Sequence, residues 1–304
     1  MAVTGVEAGP HGWLVIDKPC GLSSHGVVEV IRRSTGAKVG HAGTLDPLAT
    51  GVLPIAIGEA TKTTSYAMGA RKRYRFRIRW GVARATDDRE GEIIGKCDAR
   101  PSHEAIDAIL PRFVGNILQA PPAYSALKVH GRRAYAVARK DAAPSLPPRP
   151  VEIEELRLIG LPDPDHADCE ALVGKGTYIR ALARDIGAAL GTFAHIAQLR
   201  RLSVGCFTES QAITLDSLGE EGHISRHLLP VEAALDGILA LSLTEEEAAQ
   251  LRNGRSLARR EPGRWTGLDG LGEGTIVGAR HHQVLVALAR IESGRLRPIR
   301  VLRY

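Results

Sequence analysis

Apolar and polar residues repeat along this chain with two different periods, and the changes of period predict its elements. Trp13 to Asp17 is a short apolar run ending at Lys18-Pro19, which predicts a buried strand. Ser23 and Ser24 offer N-caps to a helix bearing Val27, Val28 and Ile31, with Gly36 as its stop. A segment dense in Gly and Thr, Gly40 to Gly51, leads into a strand over Val52 to Gly58, and a short helix from Glu59 to about Met68 follows. From Arg71 to Trp80 the period is two. Arginine fills every odd position, and Tyr, Phe, Ile and Trp fill the even ones from Tyr74 onward, so a strand with one basic and one apolar face is expected.

The character changes after Gln119. Pro121-Pro122, a basic helical piece from Gly131 to Lys140 and the exit PSLPPRP predict an excursion from the core, a flap over about residues 121–150. Strands return at Val151 to Leu161 and Ala167 to Val173. A helix starts near Tyr178, with Ile179, Leu182, Ala183, Ile186 and Leu190 on one face, and Gly191 ends it. Beyond about residue 235 a smaller unit is expected. Its helix, LTEEEAAQLRNG, carries acids in the first turn and Arg252 in the last, as the helix dipole favours, and three strand candidates follow in GTIVGA, VLVALARI and LRPIRVL.

Composition narrows the class. A chain of 304 residues with 44% apolar and 24% charged residues can bury one large domain with an appendage, or two domains. The opening MAVTGVEAGPHG has neither a basic n-region nor an apolar h-region, and the best apolar run, Val52 to Ile57, is too short to span a bilayer. A cytoplasmic protein without a membrane partner is expected. Cys20, Cys97, Cys169 and Cys206 lie far apart and form no CxxC pair, so neither a zinc site nor a disulfide framework is expected. The 40 Lys and Arg against 34 Asp and Glu give a net charge of +6, which suits a polyanionic partner because the excess is clustered, at residues 71–79 and 132–140.

The candidate chemistry sits in Gly40-His41-Ala42-Gly43-Thr44-Leu45-Asp46-Pro47-Leu48-Ala49-Thr50-Gly51. Pro47 biases Asp46 away from helical backbone, so a lone carboxylate stands on a stiff turn between flexible glycines. An Asp-Pro pair by itself is also an ordinary turn initiator. The longer string GHAGTLDPLATGVLPIAIGEATK resembles the signature G-H-T-G-T-L-D-P-x-A-T-G of the TruB family of tRNA pseudouridine synthases. WLVIDKPCGLSS, KRYRFRIRWG, SALKVHGRRAYAVAR, GKGTYIRALARDIG and HIAQLRRLSVG fall in that family's order, over roughly residues 12 to 215. Ala42 stands where the family more usually has threonine. The C-terminal unit loosely resembles a PUA-type RNA-binding domain.

The resemblance implies an α+β fold: a mixed, mostly antiparallel sheet flanked by helices over residues 1–235, and a small β-rich PUA-like domain over residues 236–304. It implies a cofactor-independent isomerase, with no metal, that turns a uridine of the tRNA T-loop into pseudouridine and holds the T-loop and T-stem as a monomer. Asp46 is then the catalytic carboxylate, Tyr74 stacks on the target base, and Tyr178 and Arg180 stand in the site with the guanidinium on the carboxylate. Leu199 lines the base pocket, His41 helps displace stacked nucleotides, and Lys18 supports loop architecture. Without the motif, Tyr74 and Leu199 read as core, Arg180 as a solvent-facing partner of Arg184 and Asp185, and His41 as an exposed loop residue. The chemistry needs a carboxylate near the ribose and a nucleotide taken out of its stack, but no redox change or energy donor. The same surface would also suit an RNA-binding chaperone without chemistry, or a synthase acting on another RNA.

Overall fold

The computed structural model describes residues 9–124, 128–129, 132–133, 146–219, 223–258 and 271–304. The strands of its first part are β1 (Gly12–Lys18), β2 (Val39–His41), β3 (Thr50–Ile57), β4 (Lys72–Trp80), β5 (Val82–Arg84), β6 (Ile93–Lys96), β7 (Gly115–Gln119), β8 (Lys128–Val129), β9 (Arg132–Arg133), β10 (Arg149–Asp163), β11 (His166–Val173), β12 (Ala194–Val204) and β13 (Phe207–Thr208). Among the described residues nine of them form one sheet, in the order β1-β3-β12-β4-β11-β10-β7, with β2 beside β3 and β13 beside β12. Only β3 and β12 run parallel in it; every other neighbour pair is antiparallel. The mixed, mostly antiparallel sheet is therefore as expected.

The parallel junction depends on a glycine. Gly51 pairs with Arg201 across it, has φ +100°, and a Cβ there would overlap the Arg201 carbonyl oxygen. The first helix, Ser24–Thr35, is bounded as its sequence dictates. The Ser23 side chain accepts from Gly26 N–H, and Gly36 closes the helix in the left-handed conformation. It buries Val27, Val28 and Ile31 on the same core as the helix Ile179–Ala189, which contributes Leu182, Ala183 and Ile186. The single helix expected after Glu59 is instead a 3₁₀ turn, Gly58–Lys62, followed by the helix Thr64–Gly69. Between them the buried Thr63 hydroxyl donates to the Ala60 carbonyl at 2.9 Å, a local bond that competes with a continuous helix.

β4 alternates as its period requires: Lys72, Tyr74, Phe76, Ile78 and Trp80 are buried. Its arginines, a cluster suited by sequence to a polyanionic partner, already have acidic partners within the fold. Arg77 grips Asp168 with two bonds of 2.6 and 2.8 Å, and Arg73, Arg75 and Arg157 converge on the buried Glu170 at 3.1, 3.2 and 2.8 Å. Arg71 meets Glu152 and Glu154, and Arg79 meets Asp165 at 3.5 Å. Antiparallel register sets Asp168 opposite Arg77 and Glu170 opposite Arg75, so this face neutralises itself.

Within the expected flap, Arg132 and Arg133 are strand rather than helix, since β8 and β9 pair as a short hairpin. The remainder of the proposed helical piece, to Lys140, lies outside the described residues.

The second sheet consists of β14 (Ala240–Ser242), β15 (Leu257–Ala258), β16 (Ile276–His281), β17 (Val284–Glu292) and β18 (Arg295–Val301), in the order β14-β16-β17-β18-β15. Its helix, Glu245–Arg252, begins with a reciprocal cap between Thr244 and Glu247. The two sheets share a seam. Alternate residues of β1 feed two cores: Leu14 and Ile16 join the main one, while Trp13 and Val15 pack with Val52, Leu285, Leu288 and Leu302. Trp13 Nε1 donates to the Val231 carbonyl at 3.1 Å, and Lys62 Nζ donates to the Val301 carbonyl at 2.8 Å. No helix among the described residues is long and apolar enough to cross a membrane.

Candidate active site

The Gly40–Gly51 loop is shaped from beneath by buried polar groups. Lys18, with no exposed surface, donates to the carbonyls of Pro19 (2.8 Å), Leu22 (2.7 Å) and Pro47 (3.2 Å). Burial lowers its ammonium to about 8, against opposing attraction from Cys20 and Asp46. The Ser24 hydroxyl bonds both the carbonyl and the N–H of Leu45, at 3.0 and 2.8 Å. Arg201, 1% exposed, donates from Nε to Val52 O at 2.8 Å and from Nη2 to Gly43 O at 3.0 Å. These bonds fix the backbone on both sides of Asp46. Lys18 thus ties the Pro47 end of this loop to the turn after β1.

Asp46 and Arg180 meet. The guanidinium donates from Nε to Oδ2 at 2.9 Å and from Nη2 to Oδ1 at 3.2 Å, a two-point grip that sets the carboxylate's rotamer. Arg180 is 4% exposed, whereas the Asp46 side chain keeps 35% of its surface, so the carboxylate alone of the pair is open to a ligand. The arginine is held from behind by Thr86 O at 2.7 Å, Tyr124 O at 2.9 Å and the buried Asp88 at 3.6 Å. Asp185, its other sequence-level partner, is taken by Arg184 at 2.9 Å. Arg184 also binds Asp87 at 2.8 Å and Ala120 O at 2.8 Å.

Tyr74 and Leu199 are buried in the same core cluster as Leu45, Leu48 and Ile179. β4 and β12 are neighbours, with Leu199 opposite Phe76 and Arg201 opposite Tyr74. Tyr178 caps the helix that carries Arg180 through its backbone. The buried Gln119 amide brackets its peptide, accepting from Tyr178 N–H at 2.9 Å and donating to Tyr178 O at 3.2 Å. His41 ends β2, half-buried. Its Nδ1 is buried without a hydrogen-bond partner among the described residues, and burial, then Arg201 and His25, push its pKa down.

Sequence reasoning passed over Gln119, Asp88, Lys72 and Arg201. Gln119 and Asp88 have no local signal. Lys72 had one: it falls at the parity of Tyr74, so a lysine interrupts an otherwise apolar face.

The chain matches the family described as TruB family pseudouridylate synthase (N terminal domain) over residues 32–179, and tRNA pseudouridylate synthase B C-terminal domain over residues 180–236. It is 51% identical to the tRNA pseudouridine synthase B of Rhodospirillum rubrum over 96% of each chain. The chain belongs to the TruB family of pseudouridylate synthases. It is also 50% identical to the tRNA pseudouridine synthase B of Gluconacetobacter diazotrophicus, over 96% of this chain and 97% of that one. Among solved structures, this TruB-family chain resembles the archaeal box H/ACA sRNP Nop10-Cbf5 complex, with a TM-score of 0.70, 25% identity, and coverage of 96% of this chain and 86% of that one. The two matched TruB regions meet between Ile179 and Arg180, so the Asp46–Arg180 pair joins one region to the other.

Proposed function

We propose that this chain isomerises a uridine in the T-loop of tRNA to pseudouridine, with Asp46 as its catalytic carboxylate. The observation that carries the reading is the half-open Asp46 carboxylate, gripped by a buried arginine within the family's motif. The reaction breaks the N1–C1′ bond, turns the uracil and rejoins it through C5, and the C5 proton leaves as N1 gains one, so atoms balance without a donor. Asp46 works on the ribose side, and Arg180 keeps its carboxylate aimed. Tyr74 stacks on the detached base, Leu199 bounds the base pocket, and Tyr178 borders it. His41 enters the RNA loop where nucleotides must be displaced. A hairpin loop suits such a site because its bases can be splayed out and read.

In the same reading residues 1–235 are the catalytic domain and residues 236–304 a PUA-like RNA-binding domain, and the chain acts as a cytoplasmic monomer on the T-loop and T-stem. Tritium release from C5-labelled uridine in a tRNA transcript tests the chemistry. The unmutated chain releases label, whereas Asp46→Asn releases none yet still binds tRNA. An active Asn variant would remove Asp46 from the mechanism; an inactive unmutated chain would remove the activity itself.

A further inference from the structure

Three cations beneath the Asp46 loop, Lys18, Lys72 and Arg201, are buried, and all their hydrogen bonds among the described residues go to carbonyl oxygens rather than carboxylates. A buried charge without a counter-ion is costly and calls for explanation. Lys18 is accounted for, since three carbonyls take its three N–H bonds. The other two are not fully used. Lys72, 8% exposed, donates to Met68 O at 2.7 Å and Ala70 O at 2.6 Å, which leaves one N–H. Arg201 uses Nε and Nη2, and its Nη1 has no partner among the described residues.

Both side chains border one place. A Cβ built on Gly43 would lie 3.5 Å from Arg201 Nη1 and 3.9 Å from Lys72 Cε. The absent side chain of Gly43, at φ +106°, therefore leaves a notch with two cations in its wall. Strand parity ties the notch to the base pocket. Lys72 lies two residues from Tyr74 on β4, and Arg201 two residues from Leu199 on β12, a step of about 7 Å along one sheet face. The pairing also explains why Lys72 falls to about 8: burial lowers it first, and then the Arg201 charge.

We propose that the Gly43 notch is a phosphodiester site, in which an RNA phosphate beside the everted nucleotide accepts from Arg201 Nη1 and Lys72 Nζ and supplies a counter-ion that the described residues do not. Guanidinium and ammonium groups donating to phosphate oxygens make strong charge-assisted bonds, and glycine allows the backbone to approach them. The site rests on the RNA-modification reading, and it adds a grip on the backbone to the contacts that hold the base.

The test compares tRNA binding by the unmutated chain and Lys72→Met across a salt series, with thermal melting to show that both are folded. Loss of the contact weakens Kd about tenfold and reduces the slope of log affinity against log salt by about 0.7, the share of one phosphate on single-stranded RNA. A folded Lys72→Met with unchanged affinity and slope overturns the site. Should that variant not fold, the unmutated chain carries the test. Inorganic phosphate then competes with tRNA more strongly than chloride at equal ionic strength, and equal competition overturns the proposal. Phosphate that binds without displacing tRNA would identify a site for the free anion, and so overturns it as well. Binding is measured without turnover, so a chain that binds in this way but releases no tritium would sink the proposed function and leave the notch standing.

Discussion

Arg180 and Lys72 show how much depends on where a single charge is placed. Without the family motif Arg180 reads as a solvent-facing partner of Arg184 and Asp185, whereas the fold gives Asp185 to Arg184 and Asp46 to Arg180. Lys72 is the harder case, because a lysine in a strand is ordinarily assigned to solvent and here it is buried. That burial has a measurable consequence. Its folded pKa, about 8, lies below the ordinary lysine value of 10.5. Between those two pH values the unfolded chain binds more protons than the folded one, so stability rises with pH across that window. The cost is at its full value below pH 8. In urea unfolding, the stability of the unmutated chain relative to Lys72→Met should therefore improve as pH is raised from about 8 to about 10. Lys18 is common to both proteins and cancels. A stability difference that stays level with pH would show that Lys72 is not held in this environment.

For the elements, linear pattern was a good guide to existence and a poor one to partnership. Period two at residues 71–80 identified β4, and the serine and glycine caps bounded the helix Ser24–Thr35. The same alternation gathers a basic cluster suited to a polyanionic partner, but it does not show the acids of β10 and β11, some ninety residues away in sequence, that pair with its arginines. Register is set by pairing, which no local window contains. Replacing Arg75 and Arg77 together by Gln should accordingly leave the salt slope of tRNA binding unchanged, while lowering stability by about 0.2–1 kcal/mol for each pair lost. A reduced slope would return these arginines to the RNA interface. Gln119 was illegible for a similar reason. Nothing near it in sequence indicates that its amide will bracket the peptide of Tyr178, 59 positions later.

At the scale of the whole molecule, both sheets were foreseen, but the seam between them was not. The sequence offered a boundary near residue 235, whereas the structure runs apolar packing across it, from Trp13 and Val15 to Leu285, Leu288 and Leu302. Such shared packing predicts cooperative unfolding. Calorimetry should show one transition, and Leu288→Ala should cost about 2–5 kcal/mol and lower that single midpoint. Two separable transitions, with only one moved by the substitution, would mean that the halves melt independently. β1 gives the seam a further meaning, because Trp13 lies in it while Lys18, at the far end of the same strand, holds the Pro47 carbonyl beside Asp46. A random mutagenesis screen scored by turnover should therefore return hits in the C-terminal sheet that touch no RNA. Sorting them by melting temperature before assigning contacts would separate a loosened beam from a lost handhold.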